Sequence, residues 1–164
     1  MALSRKLVMV LVEDSDTIRH YYQKVFEHAG FEVFAAPTGF EGINHVYEHN
    51  PDIILLDLVL PDIQGLEVLK KVRLDQRFKT TPVIVLTSLR EMTIVQKAIQ
   101  SGANYYSVKG SDSPEKMLQM IYKLIKKNMQ NSGKPEKEEV PGEGEEDDSI
   151  IQESDFEDIE FLKD

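Results

Sequence analysis

The sequence predicts an α/β protein built on a doubly wound parallel sheet of five strands. Short apolar runs alternate five times along the chain with longer segments whose apolar residues recur at helical spacing. Uninterrupted apolar runs are typical of strands that are buried on both faces, as the strands of parallel sheets are. Because right-handed crossovers leave few strand orders, 2-1-3-4-5 is the order expected for five strand–helix units.

The predicted strands and helices follow one another closely. The strands cover residues 7–12, 31–36, 52–57, 82–87 and 104–108. The helices cover residues 15–29, 39–49, 64–75, 91–101 and about 114–128. Gly30 and Gly102 stop the first and fourth helices. Ser113 and Pro114 give the fifth helix a hydroxyl N-cap followed by a favoured first helical residue.

Charge divides the chain into a body and a tail. The 164 residues include 29 acidic and 19 basic ones, of which residues 132–164 hold 14 and 3. The tail therefore carries a net charge of −11 and the rest of the chain +1. We expect one folded domain over residues 5–129. Residues 130–164 are predicted to be disordered because they have few apolar groups to offset ordering entropy, and residues 149–162 form a candidate docking segment within them.

Composition excludes several kinds of protein. The chain has no Cys, so disulfides and thiolate metal sites are ruled out. No apolar run is long enough to cross a membrane, and residues 7–12 are too short for a signal peptide, so we expect a cytoplasmic protein without membrane contact. The acidic tail argues against nucleic-acid binding, and too few residues remain for a DNA-binding module.

Three acidic residues follow two strands that the predicted order makes neighbours. Glu13 and Asp14 follow the first strand, and Asp57 ends the third. Ligands of open parallel sheets bind outside the carboxyl ends of the strands, where the strand order reverses, which here lies between strands one and three. Three carboxylates placed together repel one another, and Mg²⁺, which prefers oxygen ligands, would relieve that repulsion.

The next two strands end in groups that suit a phosphorylated carboxylate. Strand four ends in the hydroxyl of Thr87, and strand five leads into the ammonium of Lys109. A hydroxyl donor, a cation and a metal together neutralise phosphoryl oxygens, so catalysis would consist of positioning and electrostatics. Any one of these residues alone would be ordinary loop chemistry. Their presence at every strand end around the switch point favours a site.

Four motifs resemble the receiver domain of two-component response regulators, of the single-domain, CheY-like type. They are residues 8–14 (VMVLVED), 53–65 (IILLDLVLPDIQG), 83–88 (VIVLTS) and 102–109 (GANYYSVK). The resemblance covers nearly all of the predicted domain and implies a flavodoxin-like (βα)5 fold. It also implies a signalling module of a phosphorelay rather than an enzyme, working as a monomer or as a phosphorylation-dependent dimer.

The resemblance assigns a role to each matching position. Asp57 would accept a phosphoryl group from a histidine kinase or phosphotransfer protein. Asp14 and Asp57 would bind Mg²⁺ directly, the Val59 carbonyl would be a third ligand, and Glu13 would act through water. Thr87 and Lys109 would bind the phosphoryl group.

The resemblance also implies how the switch works. Phosphorylation would draw Thr87 inward and Tyr106 would follow. The surface formed by helix four, strand five and helix five would then change and bind an output partner.

Some positions depart from the family pattern. Gly110 follows Lys109 where proline, often after a cis bond, is usual. The sequence leaves the conformation of the Lys109–Gly110 bond open, with trans the less costly form before a residue other than proline. Ser107 is polar where an apolar residue is usual. Tyr105 precedes Tyr106, although the spacing to Lys109 favours Tyr106 as the switch residue.

The positions two residues after Asp57 and Thr87 bear on the lifetime of the phosphorylated form. Val59 and Leu89 are apolar, so neither would orient an attacking water, and we expect slow self-dephosphorylation.

Other interpretations stay open. The protein could be a phosphorylation-independent scaffold acting through its fold or acidic tail, or an Mg²⁺-dependent phosphohydrolase whose second acid is Asp62, although Asp62 is expected to face solvent. His45 and His49 have zinc-ligand spacing, but HVYEH lacks a Glu directly after the first His, and a solvated helix face is favoured. The acidic tail is a candidate to bind the lysines near the end of helix five, which are Lys123, Lys126 and Lys127. The sequence leaves open whether the protein signals as a single domain or the chain is part of a longer one.

Overall fold

The computed structural model describes residues 5–132, and the predicted tail lies almost entirely outside them. Five strands form one parallel sheet of order β2-β1-β3-β4-β5, as predicted. The strands are β1 (Val8–Val12), β2 (Glu32–Ala36), β3 (Ile53–Leu56), β4 (Val83–Thr87) and β5 (Tyr105–Val108). Each begins one residue later than the apolar runs predict.

The helices confirm the predicted pattern, with differences at their ends. They are α1 (Asp16–His28), α2 (Gly39–His49), α3 (Gly65–Leu74), α4 (Met92–Gln100) and α5 (Pro114–Ser132). The last one continues beyond residue 128, where the prediction ended it. A short 3₁₀ helix, Gln76–Phe78, was not predicted. Within the described residues, no helix has both the length and the apolar character needed to cross a bilayer.

Two hydrophobic layers cover the sheet because alternate residues of each strand point to opposite faces. On one face, strand residues such as Val10 and Val85 pack against α2, α3 and α4. On the other face, Leu11 and Ile84 belong to a layer that includes residues of α1 and α5. Tyr106 belongs to the first layer and Tyr105 to the second, so the two adjacent rings face opposite sides of the sheet.

The strand register brings the carboxyl ends of β1, β3, β4 and β5 to one edge. Val12 pairs with Leu56, and the Asp57 amide donates to the Val12 carbonyl at 2.9 Å. At the other end of this row, Thr87 pairs with Val108, and the Lys109 amide donates to the Thr87 carbonyl at 2.9 Å. The residues that directly follow these strands are therefore neighbours in space.

Candidate functional site: a carboxylate cluster with one lysine

Glu13, Asp14 and Asp57 lie together at this edge, as the sequence predicts. Each offers a carboxylate oxygen, and these oxygens lie within 4.8 Å of one another. Glu13 and Asp57 are buried, at 1 % and 3 % exposed, whereas Asp14 faces solvent. Two buried acids and one exposed acid therefore lie side by side at this edge of the sheet.

Lys109 reaches across the edge from the end of β5 and contacts both buried acids. Its Nζ donates to Asp57 Oδ2 at 2.8 Å and lies 2.7 Å from Glu13 Oε2. Burial works to lower the pKa of Lys109, but its contacts with Asp57 and Glu13 outweigh that effect and raise the pKa. The ammonium therefore stays charged and holds the two carboxylates together.

The contact with Lys109 compensates the negative charge of Glu13 only in part. Burial raises its pKa, and the neighbouring charge of Asp57 adds to that rise, while Lys109 and the Ser15 amide oppose it. Its Oε1 accepts from the Ser15 amide at 3.1 Å, but the buried Oε2 lacks a partner with hydrogen-bond geometry, despite its proximity to Lys109. An under-satisfied carboxylate oxygen among three acids fits a hard divalent cation, since Mg²⁺ binds oxygen ligands.

The backbone around Asp57 is fixed by contacts with the residues that lead into α3. Val59 donates its amide to Asp57 Oδ1 at 3.2 Å, and the Gly65 amide donates to the Leu58 carbonyl at 2.9 Å. A Cβ placed on Gly65 would lie 2.2 Å from the Asp57 carbonyl oxygen. Only glycine allows α3 to begin this close to the strand end, so Gly65 helps to fix where Asp57 stands.

Thr87 and Tyr106 occupy the interior beside the cluster. Both are 0 % exposed. The Leu89 amide lies 3.5 Å from Thr87 Oγ1, and the Tyr106 hydroxyl donates to the Leu89 carbonyl at 2.5 Å. Burial and the charges of Asp57 and Glu91 raise the pKa of Tyr106 to about 12, so its hydroxyl stays a donor. The switch ring predicted from the sequence therefore contacts the loop that follows Thr87.

The loop after Lys109 contains Gly110 where proline is usual in the family, and its backbone conformation differs accordingly from a cis-proline turn. No peptide bond among residues 5–132 is cis, so the Lys109–Gly110 bond, which the sequence left open, is trans, and Gly110 has a φ of 81°. Ser107 is buried in β5 and donates its hydroxyl to Asp112 Oδ2 at 2.7 Å. The Asp112 side chain is 3 % exposed and forms an ion pair with Lys116 at 3.3 Å.

Asp112 and Asp62 have roles that the sequence analysis did not assign. A polar residue at a buried strand position needs a partner, so Ser107 was the available indication that a nearby acid would pair with it. Asp62 is exposed, as expected, but it also accepts from the amides of Gly39 and Phe40 at 2.8 and 2.9 Å. It therefore helps to cap α2.

Comparison with known proteins identifies the chain. A family model described as the response regulator receiver domain matches residues 9–122. The chain belongs to the response regulator receiver family. Receiver domains are the signalling modules of two-component systems, and the matched range contains the whole candidate site.

Relatives and solved structures agree with the family assignment. The transcriptional regulatory protein SrrA of Staphylococcus aureus is 34% identical over 119 residues, which are 73% of this chain and 48% of that protein. The receiver chain thus spans about half the length of the curated relatives it matches.

Two structures show the same fold. The chemotaxis response regulator CheY4 of Vibrio cholerae superposes with a TM-score of 0.68 at 28% identity, covering 73% of this chain and 99% of that one. A CheY-like receiver domain protein from Methanospirillum hungatei gives a TM-score of 0.72 at 23% identity, covering 77% and 99%, and shows likeness of fold alone.

Proposed function

We propose that this receiver is a phosphorylation switch in which Asp57 accepts a phosphoryl group in the presence of Mg²⁺. The observation that carries the proposal is the contact of one lysine with two buried acids. Lys109 Nζ lies 2.8 Å from Asp57 Oδ2 and 2.7 Å from Glu13 Oε2. Two buried carboxylates held by one cation form a costly arrangement for stability alone, and such clusters are candidates for a functional site.

The Asp57 carboxylate is placed to act as a nucleophile. Its Oδ1 accepts from the Val59 amide and its Oδ2 from Lys109, so its plane is fixed from two sides. The donor is a phosphorylated histidine of a kinase or phosphotransfer protein. A bond forms between a carboxylate oxygen and phosphorus while the P–N bond breaks, and the electron pair leaves with the imidazole, which takes up a proton.

The surrounding residues would stabilise the charge on the transferred group. Mg²⁺ bound by Asp14, Asp57 and the Val59 carbonyl, with Glu13 acting through water, would supply charge neutralisation. Lys109 would transfer its hydrogen bond from Asp57 to a phosphoryl oxygen, and the Thr87 hydroxyl would donate to another. Because these groups are anchored at strand ends, little reorganisation is required.

The switch would operate through Thr87 and Tyr106. A hydroxyl drawn towards the phosphoryl group moves the loop that contains Leu89, whose carbonyl accepts from the Tyr106 hydroxyl. That bond would favour the buried position of the ring and change the surface of α4, β5 and α5. Met92, at the start of α4, is 51% exposed and would belong to the surface read by an output partner.

The domain boundaries are part of the same proposal. In this proposal the receiver covers residues 5–129, and residues 130–164, which begin with the last residues of α5, are the acidic segment that follows it in the sequence. Residues 149–162 would serve as a docking segment, since they combine acids with large apolar residues.

Intact-protein mass spectrometry after treatment with acetyl phosphate tests the proposal. We expect one phosphoryl adduct that requires Mg²⁺, disappears in Asp57→Asn and persists in Asp62→Asn, which removes another carboxylate near the same edge. Circular dichroism checks that each variant is folded. A folded wild type without an adduct, or an adduct that survives in Asp57→Asn, would contradict the proposal.

A further inference from the structure

A second group of potential metal ligands lies on α2, at the end of the helix remote from Asp62. His45, Glu48 and His49 each offer a ligand atom, and these atoms lie within 4.8 Å of one another. Positions i, i+3 and i+4 share one side of a helix, which explains their convergence. The order of these residues, H-x-x-E-H, is also the inverted form of a zinc-binding motif, in which the Glu precedes the second His.

The neighbouring strand restrains the two imidazoles. The ring of Phe34 in β2 stacks on that of His49, with centroids 3.5 Å apart and planes 3° from parallel. The His45 ring lies 5.9 Å from Phe34 and 5.6 Å from His49. Side chains held in this way lose little freedom on binding a ligand, so the cluster is partly pre-organised.

The cluster also contains a buried polar atom without a hydrogen-bond partner. The Nδ1 atom of His45 is buried and has no hydrogen-bond partner. His49 Nε2 lies 3.6 Å from Glu48 Oε2, which is too long for a hydrogen bond. A buried polar atom without a partner is unfavourable, and coordination would remove that cost for a ring nitrogen.

We propose that His45, Glu48 and His49 bind a divalent transition-metal ion of the Zn²⁺ class. Two imidazoles and one carboxylate are ligands that suit Zn²⁺, with water completing the coordination, whereas Mg²⁺ and Ca²⁺ prefer sites made only of oxygen. The site differs in chemistry from the cluster of Glu13, Asp14 and Asp57. Metal binding would cross-link residues of the last turn of α2. Because the ion binds the folded state, it would also raise the free energy of unfolding by mass action.

Calorimetric titration of the full chain with Zn²⁺, in excess Mg²⁺ to occupy oxygen-only sites, tests the proposal. We expect one tight Zn²⁺ per chain and at least about tenfold weaker binding in His45→Ala/His49→Ala. The control is His20→Ala/His28→Ala, which removes the two other histidines of the chain and should bind like the wild type. Glu48→Gln should weaken binding by a smaller factor without disturbing either imidazole.

X-ray absorption of the Zn²⁺-bound wild type provides a test that does not depend on the folding of variants. The site predicts two imidazole nitrogens and at least one oxygen in the first shell, with Zn–N distances of about 2.0–2.1 Å. A first shell made only of oxygen would overturn the proposal. So would equal Zn²⁺ affinity in the wild type and the folded His45→Ala/His49→Ala variant.

Discussion

The ammonium of Lys109 compensates the charges of two buried carboxylates at one edge of the sheet. Its ammonium contacts Glu13 and Asp57 while its own side chain is 17% exposed. Without the Lys109 ammonium, the negative charges of Glu13 and Asp57 would repel each other in a buried environment. Removing one partner of a buried charge cluster is destabilising because it leaves uncompensated charge.

Lys109→Met therefore should lower the free energy of unfolding by about 1–3 kcal/mol, less than for a fully buried pair because solvent reaches the lysine. Millimolar Mg²⁺ should restore part of the loss, since a cation at the three carboxylates replaces the missing charge. Urea denaturation with and without Mg²⁺ measures both effects. Lys97→Met, a change at an exposed lysine of α4, is the control. Equal stability of the Lys109→Met variant and the wild type would show that the ion pair contributes nothing.

The apolar residues around Asp57 and Thr87 predict a long-lived phosphorylated form. Val59, whose amide donates to Asp57, is 54% exposed, and Leu89, which follows Thr87 by two residues, is half-buried. Neither side chain can orient a water for attack on phosphorus. We expect a lifetime of minutes or longer for the wild type and a shorter one for Val59→Asn, measured by loss of the adduct after removal of acetyl phosphate. A wild-type lifetime of seconds would contradict this interpretation.

Most residues of the site could be predicted from the sequence because parallel strands end at a common edge. Glu13, Asp14 and Asp57 follow strands whose order is restricted by chain connectivity, and the structure brings them together. The contact of Lys109 with Glu13 could not be predicted, since it depends on the path of the loop after β5. The roles that the family resemblance gives these residues remain proposals.

At the scale of single elements, two residues outside the cluster fix where α2 and α3 begin. Asp62 accepts from two amides at the start of α2, and these bonds, together with other backbone amides, outweigh burial and lower its pKa. Gly65 begins α3 directly against the backbone of Asp57. Both helices therefore begin close to the segment that follows Asp57.

Asp62→Asn should reduce stability by about 1 kcal/mol at neutral pH, as expected for a weakened helix cap. A carboxyl group whose pKa is lower in the folded state stabilises the protein above its unfolded pKa and ceases to do so as pH falls through the folded value. The difference between wild type and variant should thus be constant above about pH 5 and shrink as the pH falls below the ordinary Asp pKa of about 3.9 and through the lower folded-state pKa. Denaturation curves across this range measure it. A difference that grew as the pH fell would contradict the assignment.

Gly65→Ala tests the close approach of α3 to the strand end. The added methyl group would meet the Asp57 carbonyl oxygen, which is backbone and cannot rotate away. We expect a loss of about 1–3 kcal/mol in stability, together with slower phosphorylation because the Asp57 backbone is displaced. Gln64→Ala, at the exposed preceding residue, is the matched control. Unchanged phosphorylation by acetyl phosphate in the Gly65→Ala variant would show that this contact does not position Asp57.

The bounds of the elements show what local sequence can and cannot predict. Glycine stops and the Ser113–Pro114 start placed helix ends within a residue of the observed ones. The prediction ended α5 at about residue 128, although the first stop signal in the sequence, Gly133, directly follows the observed end at Ser132. The 3₁₀ helix Gln76–Phe78 is capped by Asp75, whose carboxylate accepts from the Arg77 amide at 3.0 Å, and the Arg73 guanidinium donates to the carbonyls of Phe78 and Thr81 at 2.7 Å each. Asp75 was therefore an available local signal for this turn.

At the scale of the whole molecule, the sheet separates the phosphorylation chemistry from the proposed zinc site. The carboxylate cluster lies at the carboxyl ends of the strands, whereas His45 and His49 lie on the last turns of α2, against the edge strand β2. The first site offers only oxygen ligands, whereas the second combines two imidazoles with the carboxylate of Glu48. Adding or removing Zn²⁺ at the histidine site should therefore leave the Mg²⁺ affinity of the carboxylate site unchanged.

The central claim is that Asp57, and no other carboxylate, carries the phosphoryl group. Borohydride reduction of the phosphorylated protein converts an aspartyl phosphate to homoserine, and peptide mass spectrometry then locates the converted residue. We expect conversion at position 57 alone, and only when both Mg²⁺ and the phosphodonor are present. Conversion at Asp14 or Asp62, or none in a protein that carries a phosphoryl adduct, would contradict it.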